Sequence, residues 1–224
     1  FNGSVTTYYN ISRRPKFFDV VSYTGTNSNL TVNHNLETAP EMIWFKQYDS
    51  APTYWTVITN FTATAYDEFL LTSSVQGSNR LYSYNQYLTA APTSTTIPLG
   101  GGYAVNDSVG GGYIAYLFTS LEGVSKIGSY TGTGSEFGID CGFPNGAQFV
   151  MIKRNDATGH WYYWDINRGM VSGNNPYLSF NTDTAQTSGT NYVFRSASDN
   201  GFRFGGSTLV NSAGASYIYW ALAV

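Results

Sequence analysis

The sequence predicts an all-β protein made of two tandem, duplicated antiparallel β-sandwich units of jelly-roll-like form, and three observations carry the prediction. Composition is the first: 17% of the 224 residues are aromatic and only 11% charged, with 24 Gly, a profile that suits short strands joined by turns better than helices rich in Glu, Lys and Ala. Periodicity is the second, because apolar residues recur every two positions rather than every 3.6. Self-similarity is the third: SYTGT stands at Ser22 to Thr26 and again at Ser129 to Thr133, 107 residues apart.

Taken in chain order, residues 1–14 read as the closing strand of a preceding repeat or an N-terminal arm. TTYYNISRRPKFFDVVSYTGT from Thr6 lies over YIAYLFTSLEGVSKIGSYTGT from Tyr113 without a gap, pairing Tyr9 with Tyr116. Phe1 therefore reads as an internal residue of a longer or processed chain. The first unit, 15–121, offers the strands FFDVVSY, EMIWFKQ, YWTVITN, EFLLTS, TTIPL and YIAYLFTS, bounded by the turn clusters TGTNSN, YDSAPT and LGGG. The second, 122–224, offers KIGSYTG, QFVMIKR, HWYYWDI, YLSF, YVFRS, GFRFG and YIYWALA. About seven strands per hundred residues is the density of a sandwich.

The two series fall into register. PEMIWFKQYDSAPTYWTV from Pro40 lies over AQFVMIKRNDATGHWYYW from Ala147, so that Lys46 meets Lys153, Asp49 meets Asp156 and, with one residue deleted, Trp55 meets Trp161. EFLLTS from Glu68 answers YLSFNT from Tyr177, and GYIAYLF from Gly112 answers SYIYWAL from Ser216. In FVMIKR, alternation puts Phe149, Met151 and Lys153 on one face and Val150, Ile152 and Arg154 on the other. Apolar character on both faces predicts a central strand whose charged end alone reaches water. SYTGT reads as a boundary marker: Tyr23 and Tyr130 end the first strand of each unit, and Gly25 and Gly132 supply turn flexibility after it.

Several function classes are disfavoured. With a net charge of −3 and no cationic run beyond Arg13, Arg14 and Lys16, nucleic acid finds no electrostatic footprint. No stretch approaches the ~18 apolar residues of a membrane span. Cys141, the single cysteine, reads as a small buried side chain. The 14 acidic residues sit mostly in turns, where local hydrogen bonding favours Asp. His34 and His160 lie at non-equivalent positions without an acid–Ser pattern, so no triad is expected. No zinc ligand set, phosphate loop or cofactor motif stands out, and the expectation is no catalytic residue, no cofactor and no metal. A calcium ion held partly by backbone carbonyls near Asn106 and Asp107, or near Asp183, stays open. Sequons begin at Asn2, Asn10, Asn29, Asn60 and Asn106, about as many as chance places in a chain this rich in Asn, Ser and Thr.

Aromatic residues are the best candidates for a ligand surface. Trp55, Trp161 and Tyr163, with the recurrent turn acids Asp49 and Asp156 beside them, form a candidate glycan-binding set, since flat rings next to carboxylates and amides hold sugars. Tyr162 and Trp164 share that strand, and Tyr82, Tyr84 and Tyr87 make a second alternating set. Core or inter-subunit packing is the competing role for all of these rings.

RRPKFFDVVSYTGT, NHNLETAPEMIWFKQYD and the closing YIAYLF together resemble a repeat family of tailed-bacteriophage structural proteins, common in marine phages as tail-fibre or virion proteins. The likeness lies at Lys16 to Gly25, His34 to Pro40, Lys46 to Trp55 and Gly112 to Phe118. The second unit keeps SYTGT, Lys153, Asp156, Trp161 and YIYWALA but lacks the His-Leu element. The resemblance implies a virion structural protein at the surface of an extracellular particle. It also implies other virion proteins as partners and a homo-oligomer, a trimer by analogy with phage fibres. It transfers no catalytic residue. A tail-fibre or appendage module with host-surface glycan adhesion is the leading expectation. A capsid decoration protein without a ligand is the alternative, and a glycan hydrolase the distant third.

Overall fold

Period-two segments rich in β-branched and aromatic residues become strands once a partner strand satisfies their backbone groups. The computed structural model describes residues 16–50, 55–59, 65–70, 80–83, 87–102, 105–195, 199–206 and 208–223. The N-terminal arm expected over residues 1–14 lies outside them, as does Tyr84. The fold is all-β and antiparallel, and it divides into two compact units whose described residues end at Thr119 in the first and begin at Ser120 in the second.

The first unit contains β1 (Phe18–Thr24), β2 (Leu30–Asn33), β3 (Met42–Gln47), β4 (Thr56–Thr59), β5 (Ala65–Leu70), β6 (Arg80–Ser83), β7 (Thr96–Leu99) and β8 (Gly112–Phe118). They make a six-stranded sheet in the order β1-β8-β3-β4-β5-β6 and a two-stranded sheet β2-β7. The last strand thus inserts between the first and the third, with Tyr116 opposite Val20 on one side and Trp44 on the other. One hydrophobic cluster joins Val21, Tyr23, Ile43, Phe45 and Leu117 of the large sheet to Val32, Ile97 and Leu99 of the small one. Each such buried side chain contributes about 1.5–3 kcal/mol.

The second unit contains β9 (Ser125–Thr131), β10 (Phe137–Asp140), β11 (Phe149–Arg154), β12 (Trp161–Asp165), β13 (Asn174–Ser179), β14 (Thr187–Thr190), β15 (Val193–Phe194), β16 (Gly201–Phe204) and β17 (Ser216–Leu222). A short 3-10 turn at Ile166–Arg168 and a four-residue helix α1 (Thr208–Asn211) complete it. Its six-stranded sheet runs β14-β13-β12-β11-β17-β9, beside a three-stranded sheet β10-β16-β15. Read from the β9 end, the large sheet repeats the first unit's path: opening strand, closing strand, then third to sixth. Its core draws Val150, Ile152, Trp164, Tyr217 and Tyr219 from the large sheet and Val193, Phe202 and Phe204 from the small one.

β2, β6, β10 and β14 are strands that the sequence expectation does not contain. In β2 the sequence LTVN alternates, but four residues are too few to announce a strand, and pairing with β7 makes it one. β11 is central, between β12 and β17, as its two apolar faces predict. Its charged end departs from expectation. Lys153 is 0% exposed, and its Nζ donates to Gly159 O at 2.8 Å across the hairpin. Burial pulls the ammonium pKa down to about 8, because a low-dielectric site disfavours the charged form.

SYTGT has a structural cause, and it is the same in both units. The Tyr23 hydroxyl donates to Val105 O, and that of Tyr130 donates to Val210 O at 2.6 Å. Each ring stacks on a tyrosine of the closing strand, Tyr113 at 5.3 Å and Tyr217 at 4.9 Å. Asn106 Oδ1 accepts from Thr26 N at 2.7 Å, while its Nδ2 donates to Ser28 O at 2.6 Å and Gly100 O at 2.9 Å. Asn211 repeats this with Thr133 N at 2.8 Å, Ser135 O at 2.8 Å and Gly205 O at 2.7 Å. The glycines are not there for turn flexibility, since neither Gly25 nor Gly132 has a positive φ. A Cβ on Gly25 would lie 2.3 Å from Ser108 O and one on Gly132 2.2 Å from Ser212 O. Close backbone approach demands the missing side chain.

Candidate functional site

The two recurrent aspartates are struts between a hairpin turn and the closing strand. Asp49 Oδ2 accepts from Gly112 N at 2.6 Å and its Oδ1 from Gln47 Nε2 at 3.2 Å. Asp156 Oδ1 accepts from Arg154 Nε at 2.6 Å, and its carboxylate also accepts from the Ser216 backbone. Burial pushes the Asp156 pKa up, but the Arg154 hydrogen bond and charge and the Ser216 contact outweigh it and hold the carboxyl below its usual range. Gly112 and Ser216 open β8 and β17, so both acids hold the same corner of their units.

Of the candidate rings, Trp55 lies with Asp49 in the first unit, and Trp161 and Tyr163 lie with Asp156 in the second. Trp161 is 1% exposed and offers no face for stacking; its backbone N–H donates to Asn181 Oδ1 at 3.0 Å. Tyr163, two residues along β12 and on the same face, is half-buried beside Phe149 (5.8 Å) and Phe180 (6.2 Å), with the Arg168 guanidinium 5.5 Å from its ring centre. Trp55, in the first unit, is half-buried 5.7 Å from Tyr116. Most of their surface is occupied by neighbouring protein.

A cavity of about 240 Å³ opens instead in the second unit, lined by Arg154, Thr158, Gly159, His160, Tyr162, Leu209 and Val210. Its walls come from three places: the end of β11 with the hairpin turn after it, the start of β12, and α1. The tyrosine lock positions α1, because Val210 O holds the Tyr130 hydroxyl and Asn211 fixes the following loop. The Lys153 ammonium fixes the turn through Gly159 O. His160 lies 5.8 Å from the Tyr162 ring, edge-on. Its Nδ1 sits 3.2 Å from Asn181 Nδ2, a donor, so Nδ1 accepts and the neutral ring carries its proton on Nε2. Burial, then the neighbouring Tyr177 and Tyr192, raise the Tyr162 pKa, keeping the phenol protonated at neutral pH. Arg154 Nε holds Asp156, and its terminal amino groups have no hydrogen-bond partner among the described residues.

Sequence reasoning placed Arg154 on one strand and His160 and Tyr162 on the next but joined none of them to Leu209 or Val210. One signal was there: VNDS at Val105 to Ser108 and VNS at Val210 to Ser212 are a second repeated motif, and it carries the other half of the lock.

Among the described residues no three His, Cys, Asp or Glu side chains gather to hold a metal. Asn106, fully buried, has both ends of its amide occupied, and Asp107 accepts from the Tyr113 hydroxyl at 2.7 Å. That burial also closes the Asn106 sequon to a glycan, whereas Asn29 and Asp183 are exposed. Cys141 stands 107 residues after His34, at the place of the missing His-Leu element. Burial pushes its thiol up to about 12, far from the thiolate a nucleophile needs. Among the described residues no helix is long and apolar enough to cross a membrane.

The fold and its internal struts define an antiparallel all-β protein with a small polar cavity in its second unit. The chain belongs to the family described as "Domain of unknown function (DUF7483)", whose match covers residues 1–224. No curated protein and no solved structure matches it.

Proposed function

We propose that the chain is a non-catalytic structural module of a tailed-phage particle, a tail-fibre or surface-appendage component built as two tandem, duplicated β-sandwich units of jelly-roll-like form. The observation that carries this reading is the lock built twice from Tyr, Gly, Thr and Asn, with the same bonds in each unit. A chain that repeats its struts rather than a reactive group behaves as a building unit. The carboxylates support it: Asp19, Asp49, Asp107, Asp140, Asp156 and Asp165 each accept internal hydrogen bonds. A low-charge surface whose folding needs no disulfide also suits a particle outside cells, where ionic strength varies.

The test is mass spectrometry and antibody labelling of purified particles from a phage that encodes the protein. Stoichiometric recovery with label on the tail supports the reading. Label on the head favours a decoration protein. Absence from the particle, or turnover of polysaccharide that depends on one Asp, overturns it.

A further inference from the structure

We propose that the cavity of the second unit binds a single sugar-sized ring carrying one carboxylate, anchored by Arg154. At about 240 Å³ it falls below the ~300 Å³ at which clefts for drug-sized ligands begin, so it takes one ring and not a chain. Its chemistry is divided. Leu209 and the Tyr162 ring supply apolar lining, against which the C–H face of a sugar packs. Thr158 and His160 supply a hydroxyl and an imidazole to the same lining, partners for ring hydroxyls. Arg154 supplies the charge. With Nε fixed on Asp156 at 2.6 Å, the guanidinium plane is held, and its terminal amino groups present an edge to an incoming carboxylate.

Comparison of the two units argues that these groups are not there for the fold. At the 107-residue offset Gln47 stands where the second unit has Arg154, and like Arg154 it reaches a turn aspartate, Asp49 at 3.2 Å. The strut therefore does not require a guanidinium. Thr56 follows Trp55 as Tyr162 follows Trp161, and that strand forms without an aromatic ring at the position. The lock is shared by both units; the cation and the ring that line the cavity belong to one.

On the structural-module reading, on which its biological use rests, the site would hold an acidic residue of a surface polysaccharide, many weak copies acting together along a particle. The probe is sodium D-glucuronate, followed by saturation-transfer NMR, with D-glucose and sodium acetate as comparison ligands. Glucuronate is expected to bind in the millimolar range, at least about tenfold more tightly than either, and to weaken as salt rises. Arg154→Gln, which installs the first unit's residue, should reduce the affinity by about tenfold or more. Thr158→Trp, an exposed position at the mouth, should block binding while the urea midpoint stays put, and it carries the test if Arg154→Gln fails to fold. No glucuronate signal at about 20 mM, equal binding of glucose or acetate, or indifference to both variants overturns the proposal. A protein found in particles that ignores glucuronate sinks this inference alone; a protein that binds glucuronate but is missing from particles sinks the structural-module reading alone.

Discussion

Replacing Asn211 with Leu, a side chain of similar reach without polar atoms, tests the lock most directly. Asn211 is fully buried and satisfies three backbone groups, Thr133 N, Ser135 O and Gly205 O, at 2.7 to 2.8 Å. Their fates differ. Ser135 O keeps a second donor, the Thr133 hydroxyl at 2.8 Å; Thr133 is exposed, so its N–H turns to water at modest cost. Gly205 O lies in a buried bond and bears most of the ~1–3 kcal/mol that an unsatisfied buried group costs. The expected loss is about 2–4 kcal/mol, which for a unit of this size lowers Tm by roughly 10–25 °C. Urea unfolding followed by circular dichroism measures it, and amide exchange at Gly132 and Thr133 should accelerate in step. Asn106→Leu should do the same to the first unit. A loss below about 0.5 kcal/mol in both variants, the range of an ordinary surface change, would mean that something other than these amides holds the loops.

Three further outcomes are expected. Gly25→Ala and Gly132→Ala force a Cβ to within 2.3 and 2.2 Å of a backbone carbonyl oxygen and should each cost more than about 2 kcal/mol in urea midpoint terms, whereas Gly159→Ala, which meets only Arg154 Cβ at 3.4 Å, should stay within about 0.5 kcal/mol. His34 donates from Nε2 to Thr93 O at 3.1 Å and accepts from Leu36 N at Nδ1 at 3.2 Å, a pattern only the neutral ring supports; burial lowers its pKa from 6.5, so its stabilisation is present above pH 6.5 and lost as pH falls through the lowered value. Unfolding midpoints between pH 7.5 and 5 should drop, and His34→Gln should flatten that limb; an unchanged slope would refute it. Lys153, with its pKa brought from 10.5 to about 8, leaves the folded state with fewer bound protons than the unfolded one above pH 8, so stability should rise by about 2 kcal/mol between pH 7.5 and 9.5. Lys153→Met should remove that rise, and a rise that survives the substitution would place its source elsewhere.

How much of this could be read from the chain differs from element to element. Period-two alternation announced β1, β3, β8, β11 and β17, because which face of a strand is buried is written every second residue. The 107-residue repeat and the turn role of Asp49 and Asp156 were likewise local patterns laid side by side. β2 and β10, four residues each, alternate over too short a span to be read as strands and exist because a distant partner strand satisfies their backbone. Trp161 was a candidate because a tryptophan near Asp can be a platform, and burial decided otherwise.

An antiparallel β protein could be read from the chain, with strand motifs that recur along it, since strand period and turn chemistry are properties of neighbouring residues. Tertiary structure alone decided that SYTGT is half of a lock whose other half lies about 80 residues on, that Lys153 is buried, and that Arg154 and Tyr162 share a cavity with α1. Those outcomes depend on the closing strand inserting between the first and third. That pairing spans most of a unit, so no local window of residues contains it.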